Sequence, residues 1–368
     1  MLKEFRVQGY RGFKDKIVWS FVPAGDYDFA PYAVSETGLI KSGIVFGKNG
    51  SGKSNLGYAL FDIVNHLTDW TRKDEDYYDN FTYANHTDNL VEFTYVFLFD
   101  GQELEYRYSK TSKGDLVTEE LKQNGELILS LGRNGALALN GFDLSDETKA
   151  DIQQKGNAVS VVKFLLASIP LPTGHYLLKM QSFIYGMLWF RNLNDRKYIG
   201  IKTEETLGGF VIKNDLIQDF QNFLRETSEQ RFSLLKIEGD NSNLYCMIDG
   251  EVIPFLRIAS TGTSSLFLQY VWIKQIELRG LSFIFIDEFD AFYHFALSKA
   301  VCRRLFNLPA QVFLSSHNTA LMTNDLLRPD CYFVIDGKSV KSLPQLTAKD
   351  LKWGHNLEGL YRGGAFSL

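Results

Sequence analysis

The run Gly47-Lys48-Asn49-Gly50-Ser51-Gly52-Lys53-Ser54 constrains the fold of this chain more than any other segment. In the pattern G-x-x-x-x-G-K-[ST] the glycines let backbone N–H groups turn inward around phosphates. The lysine reaches the outer phosphates and the serine hydroxyl meets a metal ion. Such a loop belongs at the end of a strand and the start of a helix. Gly43-Ile44-Val45-Phe46 supplies a short apolar strand, and Leu56, Leu60, Ile63, Val64 and Leu67 then recur at helical spacing. The spacing predicts a helix through Leu67 whose N-terminus faces the anion. The class this implies is α/β, and the ligand is ATP with magnesium, held by Gly47, Asn49, Gly50, Ser51, Gly52, Lys53 and Ser54.

Three further elements fit that ligand. Phe283-Ile284-Phe285-Ile286 reads as a buried strand delivering Asp287 and Glu288 at its C-terminal end, the edge of a parallel sheet where ligands bind. Asp287 is expected to hold the magnesium, and Glu288 to orient and polarise the attacking water. Gln311-Val312-Phe313-Leu314-Ser315-Ser316 repeats the pattern and ends at His317, placed to contact the γ-phosphate. Ser260-Thr261-Gly262-Thr263 opens the apolar helix Leu266 to Leu278, and a small-residue turn there is either a plain helix cap or an anion site.

Composition bounds the rest. At 368 residues, 45% of them hydrophobic, the chain has ample material for a core. A formal charge of −5 argues against a surface wholly coated for nucleic acid and leaves a local basic groove open. Cys246, Cys302 and Cys331 are scattered, with no C-x-x-C pair, so they read as buried small hydrophobes in a reducing compartment. The N-terminus lacks the apolar stretch of a signal peptide, and Lys163, Pro170 and Pro172 interrupt the longest apolar run. The expectation is a cytoplasmic protein without membrane association.

Residues 1–22 alternate as a hairpin turning near Arg11-Gly12, and residues 23–42 read as a loop. From Val91 to Leu131 the period becomes two, with turns at Asp100-Gly101, Asn124-Gly125 and Asn134-Gly135, so an antiparallel meander is expected. Helical patterns then cover Glu147 to Trp189 and Asn214 to Glu226. No sustained heptad run marks a long coiled coil.

The order of the elements resembles the ABC-type ATPases, in particular the soluble RecF-, SMC- and OLD-like branch. Leu2 to Phe13 is similar to its entry hairpin, Phe46 to Asn55 to its phosphate loop and Ser260 to Leu266 to its signature. Ile286 to His294 resembles its acidic motif, Ser316 to Thr319 its histidine motif, and Asn356 to Phe366 its closing segment. The resemblance implies a single domain over 1–368, a mixed-sheet P-loop core with an antiparallel β subdomain and a helical insertion. Lobe I would take 1–70 and 88–140, a mostly helical insertion 145–250, lobe II 251–345 and a C-terminal segment 346–368. It adds Asn55 to the nucleotide contacts and implies a head-to-tail dimer or larger assembly, with Ser260 and Gly262 reaching the γ-phosphate in trans. Lys53, Ser54, Asp287, Glu288 and His317 would act in cis. A signature of Ala259-Ser260-Thr261-Gly262-Thr263 departs from the transporter form, and the glutamine that couples the lobes has no assigned position.

Stand-alone members of that branch often serve bacterial anti-phage or abortive-infection modules beside a TOPRIM- or HNH-type nuclease. The leading expectation is therefore a slow ATPase whose nucleotide-gated assembly senses invader or damaged nucleic acid and controls an effector nuclease. A structural switch with negligible turnover, a DNA-repair type clamp, a transporter ATPase subunit and a P-loop kinase remain the alternatives. Arg191, Arg196, Lys197 and Lys202 form a loose basic cluster that reads either as a phosphate-contacting surface or as a solvated face.

Overall fold

The structure, a computed structural model, describes residues 1–70, 77–142, 144–155, 159–191, 198–200 and 205–366. The chain begins with β1 (Leu2–Gln8), β2 (Ile17–Ser20) and β3 (Ser42–Phe46), followed by helices α1 (Lys53–Leu60) and α2 (Asp62–Leu67). The helix expected to run unbroken to Leu67 is thus two helices, parted at Phe61. The break sets Asp62 in the first turn of α2, fully buried against Lys110 at 2.6 Å and against the hydroxyls of Tyr77 and Tyr108.

Strands β4 (Val91–Phe99), β5 (Gln102–Lys110), β6 (Leu116–Gln123), β7 (Glu126–Leu131) and β8 (Leu137–Leu139) form the expected meander. Asp100-Gly101 and Asn124-Gly125 both take the paired positive φ of a two-residue hairpin turn, which is why those sequences were such clear signals. With β1 and β2 they make an antiparallel sheet of order β2-β1-β4-β5-β6-β7-β8.

Next come α3 (Asp146–Lys155), α4 (Val161–Ser168) and α5 (Tyr176–Tyr185), then β9 (Met187–Arg191) and β10 (Tyr198–Gly200). The helical reading through Trp189 is corrected here. Gly186 ends α5, and Met187 onward is a strand, because its apolar side chains are wanted on both faces of a buried sheet. After α6 (Leu207–Lys213) and α7 (Ile217–Ser228), strands β11 (Leu234–Ile237), β12 (Asp240–Ile248) and β13 (Glu251–Pro254) form a small separate sheet. The helices of 145–250 are therefore interleaved with strands, two of which belong to the core.

The remaining elements are α8 (Phe255–Ile258), α9 (Thr261–Arg279), β14 (Phe283–Asp287), α10 (Phe295–Phe306), β15 (Gln311–Ser316), β16 (Tyr332–Ile335), β17 (Val340–Ser342) and α11 (Leu357–Arg362). The core sheet has the order β10-β9-β14-β15-β3-β16-β17, parallel from β9 through β16 and antiparallel at both edges. Its five central strands are buried on both faces, so their sequences read as continuous apolar runs rather than alternating ones.

Two devices join the sheets. Trp19 of β2 and Phe21 just after it pack against Phe283, Phe285, Phe313 and Phe333 of the core sheet, with ring centroids 4.8–6.0 Å apart. The Gln311 amide, at the start of β15, accepts from Leu2 N at 2.7 Å and donates to Leu2 O at 2.9 Å. The three cysteines are buried and unpaired, as expected. Among the described residues no helix is long and apolar enough to cross a membrane, and none exceeds the 19 residues of α9.

Candidate nucleotide site

Parallel pairing places the C-terminal ends of β3, β14 and β15 side by side, and each carries one part of the expected site. The loop after β3 fits only glycine at two points. At Gly47 a Cβ would lie 2.6 Å from the Ile335 carbonyl oxygen, and at Gly52 φ is +98° with the Phe13 ring filling the place of a side chain. Gly52 is the N-cap of α1 and supplies no side-chain cap, so the first N–H groups of the helix face outward as an anion site. Asn49 and Gly50 form the exposed crest, and Asn55 lies against Gly12 of the entry loop.

Lys53 is buried and its ammonium donates to the carbonyls of Gly47 at 2.8 Å and Lys48 at 3.2 Å. Burial lowers its pKa, opposed by the charges of Asp287 and Glu288. Asp287, with no exposed surface, is held from two sides. Ser54 Oγ donates to its Oδ2 at 2.7 Å and Ser315 Oγ to its Oδ1 at 2.6 Å. The same Ser315 oxygen accepts the Glu288 N–H at 2.8 Å, and Ser315 O accepts the Phe289 N–H at 3.2 Å. These bonds pin Glu288 with φ at +51°, a left-handed conformation uncommon for a residue with a side chain.

His317 follows β15 and is within electrostatic reach of Lys53, Glu288 and Asp287. Partial burial and then the Lys53 charge lower its pKa, opposed by the charges of Glu288 and Asp287, which favours the neutral, hydrogen-bonding imidazole. Asp290 accepts from Ser316 Oγ at 2.8 Å, and the closing segment reaches the same loop through Glu358, which accepts from Thr319 Oγ1 at 3.2 Å.

Lys53, Ser54, Asp287, Glu288 and His317 are thus brought together in one place. Ser260 and Gly262 have other surroundings. Ser260 is the exposed N-cap of α9, accepting from Thr263 N at 3.1 Å, and Gly262 lies against the carbonyl of Phe292.

Two residues of the site were not foreseen. Ser315 carries no role in the sequence reading, where it is one of the polar residues that close the strand before His317. Arg191, which the sequence reads as part of a loose basic cluster, either phosphate-contacting or a solvated face, is instead paired with an acid of the site. It ends β9 opposite Asp287 in register, and its guanidinium binds Glu288 through Nη2–Oε1 at 2.8 Å and Nε–Oε2 at 3.2 Å, with Nε 3.9 Å from Asp287. The signal was available only as an arginine directly following an apolar run. Arg196, Lys197 and Lys202 lie outside the described residues.

The donor set suits magnesium: a serine hydroxyl and one buried carboxylate, both hard oxygens, leave coordination positions for phosphate and water.

The family model described as "AAA domain, putative AbiEii toxin, Type IV TA system" matches residues 44–171. No curated protein matches the sequence. Among solved structures, an Smc head bound to the C-terminal winged-helix domain of ScpA is similar at 16% identity, covering 93% of this chain and 97% of that one, with a TM-score of 0.51. The SMC head domain from Thermotoga maritima is 14% identical over 93% of this chain and 98% of its own, with a TM-score of 0.44. The fold is that of the α/β P-loop NTPases of ABC type, as in SMC heads.

Proposed function

We propose that the chain binds ATP with magnesium and hydrolyses it slowly, and that the nucleotide closes a head-to-tail assembly. The observation that carries this reading is the 2.7 Å bond from Ser54 to Asp287, joining loop and acid across 233 residues of sequence. In this mechanism the loop N–H groups and Lys53 neutralise the phosphates, and Ser54 and Asp287 hold the metal, which supplies charge stabilisation at the phosphoryl oxygens. Glu288 accepts the proton of the attacking water, and His317 hydrogen-bonds the γ-phosphate. Ser260 and Gly262 serve the partner protomer's site. The exposure of Ser260 supports that division of labour, as do the half-exposed rings of Phe292 and Phe295 beside the acid loop, which suit burial against a second copy.

We propose further that this gated assembly controls a nuclease-type effector in bacterial anti-phage defence. The matched family description, a putative toxin of a toxin–antitoxin system, supports a setting of that kind. Direct sensing of nucleic acid belongs to the same proposal and now has less support, since Arg191 is committed to the site.

The test is phosphate release together with light-scattering mass in the presence of ATP. Glu288→Gln should abolish turnover while retaining ATP binding and accumulating the dimer. Wild-type turnover by Glu288→Gln, or a monomer at saturating ATP in both proteins, would overturn the respective parts of the proposal.

A further inference from the structure

We infer that Arg191 is a positioning residue for hydrolysis, the group that holds the Glu288 carboxylate in its working orientation. The inference rests on the reading of Glu288 as the proton acceptor, and it comes from the way β14 is gripped by both its neighbours. From β15, Ser315 fixes the Glu288 backbone through its N–H and fixes Asp287 through Oδ1. Nothing in those bonds orients the Glu288 side chain, which stands on a left-handed residue and is about one-third exposed. From the other side, β9 pairs with β14 in parallel register, Arg191 opposite Asp287, and the guanidinium donates one N–H to each Glu288 oxygen.

A two-pronged pair of this kind sets the plane of the carboxylate as well as its position, because the guanidinium is itself planar and rigid. It leaves the outer lone pairs of both oxygens free to accept from water. Arg191 is in turn held well. The preceding strand is buried, Trp189 packs at a tilt against Tyr58 of α1 with ring centroids 4.6 Å apart, and Phe190 stacks on Trp272 of α9 at 5.5 Å. Burial disfavours the guanidinium charge, but the bond to Glu288 and the charges of Glu288 and Asp287 prevail and raise its pKa, so it stays cationic throughout the working range. The strand that carries Arg191 therefore packs on both the helix after the phosphate loop and the helix that opens with Ser260. A shift of either helix would be transmitted to the Glu288 carboxylate.

The experiment compares Arg191→Ala, Arg191→Lys, Glu288→Gln and the double variant Arg191→Ala/Glu288→Gln, measuring kcat, KM and equilibrium ATP affinity, with melting curves to confirm folding. Arg191→Ala should lower kcat about 10–100-fold with ATP affinity and KM little changed. Arg191→Lys keeps the charge without the two-pronged geometry and should fall between. In the Glu288→Gln background, which retains ATP binding, removing Arg191 should leave ATP affinity unchanged, since it acts through Glu288. Wild-type kcat in Arg191→Ala, with Glu288→Gln inactive, would overturn the inference and leave the Glu288 reading standing. A loss of ATP affinity in the double variant relative to Glu288→Gln would also overturn it, showing that Arg191 acts on the phosphate itself. An active Glu288→Gln would overturn the reading beneath it and the inference together. If Arg191→Ala does not fold, Arg191→Lys decides alone: full wild-type kcat refutes two-pronged positioning.

Discussion

Ser315→Ala removes one hydroxyl and is expected to disturb both acids of the site. The hydroxyl is wholly buried and makes two bonds, donating to Asp287 Oδ1 at 2.6 Å and accepting from Glu288 N at 2.8 Å. A hydrogen bond to a charged group contributes about 1.5–3 kcal/mol, and a buried N–H left without a partner costs about 1–3 kcal/mol. Serine and alanine differ little in volume, so no cavity of consequence adds to this. The sum is about 2.5–6 kcal/mol before relaxation, a large share of the roughly 5–15 kcal/mol that holds a typical domain together. Relief of the Glu288 backbone strain, on the order of 1–3 kcal/mol, offsets part of it if the residue leaves the left-handed region. The same relaxation would carry Glu288 away from its place, so turnover should fall by about 10–100-fold even in molecules that remain folded. Urea unfolding followed by tryptophan fluorescence gives the stability change, and phosphate release below the transition gives the turnover. A stability loss under about 1 kcal/mol, the ordinary cost of a point substitution, together with unchanged turnover would refute the assignment of Ser315 as the residue that ties β15 to the acids.

Lys53→Ala should abolish ATP binding and nucleotide-dependent assembly, measured by equilibrium dialysis and light scattering; unchanged affinity would refute the placement of the phosphates. Lys110→Met should destabilise the fold by about 3–5 kcal/mol because it strands the buried Asp62 carboxylate, and adding Asp62→Asn should recover part of the loss in the same urea assay. His66 is half-buried, stacked on Tyr108 and bonded to the Tyr106 hydroxyl at 2.8 Å, and desolvation, then the charges of Lys110 and Lys163, hold its pKa well below 6.5. The unfolded chain therefore takes a proton that the folded one refuses. The stability it contributes is present above pH 6.5 and is lost as pH falls below that value, by up to about 1.4 kcal/mol per pH unit. His66→Gln should flatten the stability profile between pH 6.5 and 5; an unchanged slope would show that another group sets it.

Much of the site was legible because its parts are local. The loop from Gly47 to Ser54 carries its own geometry, since Gly52 at φ +98° and the close approach of the Ile335 carbonyl to Gly47 admit no side chain. The hairpin turns were equally plain, because paired positive φ selects Asp-Gly and Asn-Gly. The acids and His317 stood out as polar residues ending strands that are buried on both faces.

What the sequence could not show depends on pairing between distant segments. Met187-Leu188-Trp189-Phe190 is a short apolar run, and such a run has no period that separates a strand from the end of a helix. Only its place beside β14, whose residues lie 96 positions further along, makes it a strand. The same pairing turned Arg191 from a surface cation into the partner of Glu288. Ser315 gave no signal, because a hydroxyl within an apolar strand means nothing until a carboxylate and an N–H are brought against it. The break at Phe61 is of the same kind, since the Lys110 and tyrosines that meet Asp62 come from other segments. By itself the sequence determined that the chain folds as a P-loop α/β protein and which polar groups end its buried strands. Tertiary structure alone decided how the two acids are held, because that rests on parallel register, a long-range property that no local pattern encodes.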